Sequence, residues 1–150
     1  MTHRLQELTE NDWDLIGAKV LRRTFKSGEE IIRQGSLGDR IYIIRKGEAT
    51  VELAGTNPRS VLAILGPDDI CGDMAFLEKG KTTAAVIARS VEVEADEIKA
   101  NDLRAIFEAF PRLAARFYRS LALVLARRLR DTSQALAREM ASGDRARRQP

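Results

Sequence analysis

Glycines recur through the first half of this chain, close to one for the end of each short apolar segment. They stand at positions 28, 35, 38, 47, 55, 66, 72 and 80. Segments between them, such as Ala49–Leu53, alternate apolar and polar residues as a half-buried strand does. Because glycine adopts φ > 0 without steric cost, each of these glycines can reverse the chain between two strands. The spacing predicts an antiparallel roll or sandwich of short strands around one shared core.

The predicted strands are bounded by turn residues, with turns at Phe25–Glu30, Lys46–Glu48 and Gly55–Pro58. The strands are Ile31–Gly35, Arg40–Arg45, Ala49–Leu53, Ser60–Leu65, Thr83–Ala88 and Val91–Glu94.

Helical periodicity flanks the strands on both sides. An N-terminal helix is predicted from Thr9, its N-cap, to about Val20. A helix beginning near Asn101 is expected to end at Pro111, and a long helix follows from about Arg112 to Met140, stopped by Gly143. We therefore expect one domain over residues 1–141, with the roll at about 22–98 and the C-terminal helices at about 100–141. Residues 142–150 are predicted to be a loose basic tail.

The composition excludes several classes of site and protein. One cysteine and one histidine leave no internal disulfide and no zinc site of the usual His/Cys kind. The carboxylates do not pair convincingly with a base or a metal ligand, so an enzyme is the class we expect least, and we expect no cofactor. No apolar run is long enough to span a bilayer and no signal peptide is evident, which predicts a cytoplasmic protein.

Positive charge is concentrated at the C-terminal end. After Pro111 there are ten arginines and three acidic residues, although the whole chain has a net charge of only +3. This segment could bind nucleic acid or an anionic membrane through Arg145–Arg148, or it could be a solvated helix face.

The long helix also has an apolar stripe that a body of this size would leave partly uncovered. Leu121, Leu125 and Leu129 are part of it. We expect these three leucines to form a homodimer or to cap the roll.

The segment from Phe25 to Gly47 resembles the first half of the cyclic-nucleotide-binding domain family. A glycine–glutamate turn at Gly28, an apolar strand, Gln34–Gly35, Gly38–Asp39 and a closing glycine follow one another at the family's spacing. The resemblance extends over about residues 8–140. It implies a mainly β fold with flanking helices: a jelly-roll-like, double-stranded β-helix of eight strands, with one N-terminal and two C-terminal helices.

The ligand site that the resemblance implies is the family's phosphate-binding cassette, which corresponds to Cys71–Val86. Gly72 allows close approach of the backbone, and Met74 and Ala75 begin a short helix whose N–H groups point at an anion. Asp73 stands where the family has a glutamate that accepts a hydrogen bond from the ribose 2′-hydroxyl. Lys81, Thr82 and Thr83 complete the predicted site, and cAMP or cGMP is the ligand it would take.

One position departs from the family pattern. The cassette arginine that neutralises the cyclic phosphate is replaced by Thr82, which can donate one hydrogen bond but has no charge. Loss of such a pair lowers affinity about ten- to a hundredfold. Lys81 is the adjacent candidate for a replacement cation.

Three functions remain open from the sequence, the third being the binding of nucleic acid or membrane through Arg145–Arg148 described above. The first is a regulatory module in which ligand binding in the roll moves the C-terminal helices and signals to an unidentified protein effector. The second is a degenerate domain that binds no cyclic nucleotide and serves dimerisation or docking. The chain ends before the helix-turn-helix of the transcription-factor branch, so we expect no DNA-binding domain, and we expect no transmembrane segment.

Overall fold

The computed structural model describes residues 5–55 and 60–148, which form eight strands and four helices. In chain order the elements are α1 (Glu10–Gly17), β1 (Leu21–Lys26), β2 (Glu30–Ile32), β3 (Arg40–Lys46), β4 (Ala49–Leu53), β5 (Ser60–Leu65), β6 (Ile70–Cys71), α2 (Asp73–Glu78), β7 (Ala85–Ala88), β8 (Glu92–Lys99), α3 (Ala100–Ala109) and α4 (Pro111–Arg148). The strands form two sheets, ordered β1-β8-β3-β6 and β2-β7-β4-β5, with antiparallel neighbours throughout.

The apolar core has two layers, and β3 contributes to both. Successive side chains of a strand point to opposite faces of its sheet. Tyr42 and Ile44 therefore pack between the two sheets, while Ile41 and Ile43 pack against the helices. Burial on both faces explains why this strand is a nearly continuous apolar run instead of an alternating one.

The predicted fold class is confirmed: the chain is mainly β, with eight strands in a roll and helices on either side. The predicted bounds of the fourth and fifth strands agree with the structure. Two strands, β1 and β6, were not predicted, and β8 was predicted too short. The first helix ends at Gly17, before the predicted Val20. β1 begins at Leu21, and its mostly polar residues form a strand because they pair with β8. β8 continues to Lys99.

The extension of β8 depends on buried charges. Asp96 accepts hydrogen bonds from Arg22 and Arg45, and Glu97 accepts one from Arg40 at 2.7 Å. Both carboxylates are buried. These ion pairs let two acidic residues lie inside a strand that hydrophobic alternation does not predict.

The predicted end of the last helix is wrong. α4 continues through Gly143 to Arg148, so the described part of the predicted basic tail is helical. One glycine inside a helix costs only about 1 kcal/mol. Asp144 and Arg148 also form an ion pair at 3.2 Å across one turn.

His3 and residues 56–58 of the predicted Gly55–Pro58 turn lie outside the described residues, as do residues 149–150. Within the described ranges, no helix combines the length and the apolar character that crossing a membrane requires.

Candidate functional site

A cavity of about 530 Å³ opens inside the roll, between the β2-β7-β4-β5 sheet, α2 and α4. Its wall is mostly aliphatic on the side of the sheet. The aliphatic residues there are Ile32, Val51, Leu62, Ile64, Leu65 and Val86. A separate cavity of about 610 Å³ lies between α1 and the other sheet, and none of the predicted ligand-binding residues lines it.

Gly72 sets the geometry of the cassette at the bottom of this cavity. Its φ is +82°, and a Cβ atom there would lie 2.6 Å from the carbonyl oxygen of Arg40. Only glycine fits both constraints. The chain then turns directly into the six-residue helix α2, with Asp73 as its first residue.

Asp73 is buried, with 2% of its surface exposed, and its partner is an arginine from the last helix. Nη1 of Arg128 lies 3.3 Å from Oδ1 and 3.2 Å from Oδ2 of the Asp73 carboxylate. Nη2 of Arg128 donates to the carbonyl oxygen of Ile70. The cassette and α4 are thus joined by a charged contact inside the cavity.

Thr82 lines the same cavity, but its hydroxyl group is already hydrogen-bonded within the roll. The hydroxyl donates to the carbonyl oxygen of Arg33 at 2.6 Å and accepts from the Ser36 N–H at 3.1 Å. A hydroxyl has a single proton to donate. Thr82 therefore holds the Arg33–Ser36 turn and has no second donor to offer an anion.

The structure brings most of the predicted ligand-binding residues together. Gly72, Asp73, Met74, Ala75, Thr82 and Thr83 all line the cavity. Lys81 does not. It pairs with Leu37 across an isolated bridge and lines a separate groove with Asp39 and Arg104. Lys81 consequently cannot replace the missing cassette arginine from where it lies.

Sequence reasoning missed the contribution of α4, which adds Arg128, Asp131, Thr132 and Ala135 to the cavity. A signal was present in the helix periodicity. Leu121 and Val124 are buried, and Arg128 follows Val124 by four residues on the same face. An arginine on the same helix face as buried apolar residues indicates that its side chain has a hydrogen-bonding partner inside the domain.

Charge in the cavity is nearly balanced. Among the described residues that line it, Arg128 is basic and Asp73 and Asp131 are acidic. Cys71 lies beside them, and burial raises the pKa of its thiol to about 12. The thiol is therefore neutral at physiological pH and does not add a negative charge.

The three leucines predicted to form a homodimer or to cap the roll do not share one surface. Leu121 is 1% exposed and packs in the core of its own domain, so of the two expected roles it is not available for contact with a second copy. Leu125 packs partly against the same core, whereas Leu129 is 69% exposed. The stripe leaves the domain surface between these positions because the roll ends there.

Comparison with known proteins agrees with this architecture. Residues 22–110 match the family model described as the cyclic nucleotide-binding domain. The chain is 35% identical over 127 residues to Cyclic GMP-binding protein C of Dictyostelium discoideum, an alignment that covers 79% of this chain and 5% of that protein. It is 32% identical over 130 residues to the Cyclic AMP receptor protein of Thermus thermophilus, covering 83% of this chain and 56% of that protein. The chain thus spans only part of the length of both relatives.

A solved cyclic nucleotide-binding domain from Methylobacillus flagellatus has the same fold. It superposes with a TM-score of 0.81 over 88% of this chain and 74% of that one, at 17% sequence identity. Because the family model matches more than half of the chain, we conclude that the chain belongs to the cyclic nucleotide-binding domain family.

Proposed function

We propose that this domain is a ligand-sensing regulatory module that binds a cyclic nucleotide in the roll and transmits binding to α4. A volume of about 530 Å³ suits a small organic ligand, since pockets for such ligands hold about 300–1,000 Å³. The names of the two relatives point to the same ligand class, as one binds cyclic GMP and the other is a receptor for cyclic AMP.

The contact between Asp73 and Arg128 carries the proposal. Asp73 lies in the cassette and Arg128 lies on α4, 55 residues further along the chain. A ribose hydroxyl that donates to Asp73 would compete with Arg128 for the same carboxylate. Ligand binding would then favour one position of α4 over another by the difference in affinity between the two states.

The test is isothermal titration of the purified chain with cAMP and with cGMP, alongside hydrogen exchange of the α4 amides. The wild-type chain should bind at least one nucleotide. Asp73→Ala should bind it at least about tenfold more weakly, because a hydrogen bond to a charged group is lost. Exchange in α4 should change on binding. Asp14→Ala is the matched control, since Asp14 is an exposed acid on α1 that does not line the cavity. A folded chain that binds neither nucleotide would refute the proposal.

A second candidate is an assembly domain without nucleotide binding. The replacement of the cassette arginine by Thr82, whose hydroxyl is already bonded, favours it. Leu129, Leu136 and Met140 on α4 are also exposed. This function predicts dimerisation that depends on protein concentration and weakens in Leu136→Glu, measured by sedimentation with and without nucleotide. In either case the protein effector is unidentified, and we propose a regulatory role rather than a catalytic one.

A further inference from the structure

A bound cyclic nucleotide would bring a negative phosphate into the cavity, and its cation must come from the lining. The Thr82 position supplies no charge, and Lys81 lines a different groove. Among the described residues lining the cavity, one basic side chain is left, that of Arg128. Position 128 also lies beyond residue 110, where the match to the family model ends.

Arg128 has hydrogen-bonding capacity left for an anion. A guanidinium has five N–H donors. Nη1 contacts Asp73 at the long end of the normal range, 3.2–3.3 Å, and Nη2 donates to Ile70. Within the described residues, Nε of Arg128 makes no hydrogen bond, and about a quarter of the side chain is exposed. The Nε–Nη2 edge of a guanidinium is one of the two that bind an oxyanion through paired N–H groups.

We propose that Arg128 of α4 binds the phosphate of the ligand, in place of the cassette arginine that this chain lacks. The inference rests on the proposed function and specifies its anion contact. A ribose hydroxyl donates to Asp73, the carboxylate loosens its contact with Arg128, and the guanidinium turns towards the phosphate. Asp73 and Arg128 thus each exchange their contact with one another for a contact with the ligand.

This arrangement ties ligand affinity to the position of the last helix. A cassette arginine would lie on the roll, so the phosphate would be held whether or not α4 were in place. Arg128 lies on α4 itself, and the phosphate is therefore held only when α4 lies against the roll. Any partner that shifts α4 must change ligand affinity, and the ligand must change partner affinity by the same factor.

The experiment measures binding of whichever nucleotide the wild-type chain takes up, cAMP or cGMP, and of the matching uncharged nucleoside. Arg128→Gln should weaken nucleotide binding about ten- to a hundredfold and leave nucleoside binding nearly unchanged. Thr82→Arg should restore nucleotide binding to Arg128→Gln. Arg127→Gln is the matched control, because the neighbouring Arg127 contacts Gln6 and does not line the cavity.

Arg128→Gln leaves the carboxylate of Asp73 buried without its partner. The same change is therefore also combined with Asp73→Asn, because the double variant has neither charge of the pair. If Arg128 binds phosphate, the double variant binds nucleotide about tenfold or more weakly than Asp73→Asn alone. If Arg128 only holds Asp73 in place, the two variants bind equally and the inference is overturned while the proposed function stands. Absence of nucleotide binding by the folded wild-type chain overturns both.

Discussion

The ion pair between Asp12 and Arg116 joins α1 to the long helix, and its stability contribution should depend on pH. Nε and Nη2 of Arg116 donate to Oδ2 and Oδ1 of Asp12 at 2.6 and 2.7 Å. The same carboxylate accepts from the Thr9 N–H and so completes a capping box at the start of α1. These hydrogen bonds, first of all those from Arg116, lower the pKa of Asp12 from 3.8 to about 2 although burial opposes them.

The magnitude follows from that pKa. A difference of one pKa unit between the folded and unfolded states corresponds to about 1.4 kcal/mol, which gives roughly 2.5 kcal/mol for the charged form of Asp12. Because Arg116 is 36% exposed, solvent screening reduces this value, and we expect about 1–2 kcal/mol at pH 7. Asp12→Asn keeps the shape of the side chain and an oxygen that accepts from Thr9, but removes the charge.

The sign of the pH dependence is fixed by the direction of the shift. A carboxyl group with a lowered pKa in the folded state stabilises the fold above its unfolded pKa of about 4, and this stabilisation is lost as the pH falls through the folded value of about 2. By pH 3 about half of it should be gone.

Urea unfolding at pH 7, 5 and 3 measures the free energy of unfolding for wild type, Asp12→Asn and the exposed control Asp14→Asn. The gap between wild type and Asp12→Asn should stay constant from pH 7 to 5 and shrink by pH 3. A gap that is absent at pH 7, or the same at all three values, refutes the reasoning.

Two further predictions concern α4 and the cassette. Leu121→Ala should lower the free energy of unfolding by about 2–5 kcal/mol because it leaves a cavity in the core, whereas Leu129→Ala in dilute protein should change it by less than about 0.5 kcal/mol. Urea unfolding measures both variants, and equal losses of stability would contradict the burial of Leu121. Gly72→Ala should lower the melting temperature more than Gly28→Ala. Both glycines have positive φ, but only a Cβ atom at position 72 would clash with a backbone oxygen, that of Arg40. A smaller decrease for Gly72→Ala than for Gly28→Ala would rule this clash out.

Much of the roll could be predicted because local residues dictate it. Gly28, Gly35 and Gly47 have φ between +77° and +86°, so each of these turns is determined by the glycine itself. β8 was harder, since Asp96 and Glu97 are buried only because arginines from β1 and β3 reach them. Hydrophobic alternation cannot indicate a strand whose inward residues are paired charges.

The site could be predicted only where one segment of the chain forms it. The position of Asp73 follows from the cassette, and it lies in the cavity. Its partner Arg128 depends on the angle at which α4 crosses the roll, which helical periodicity leaves undetermined. Periodicity placed Leu121, Leu125 and Leu129 in one apolar stripe, yet in the structure Leu121 is buried and Leu129 is exposed.

The length of α4 beyond Arg128, its last partly buried residue, has a mechanical consequence. Every described residue from Leu129 to Arg148 is exposed, and this stretch of helix is about 30 Å long. It is a lever arm whose pivot lies near Arg128. For a rigid helix of that length, a tilt of about 10° at the pivot displaces the tip by about 5 Å. A tilt of α4 that is too small to detect at the cavity is therefore readily detected by a probe attached near Arg148. The arginine-rich end of the helix would move by this larger distance relative to any surface that it faces.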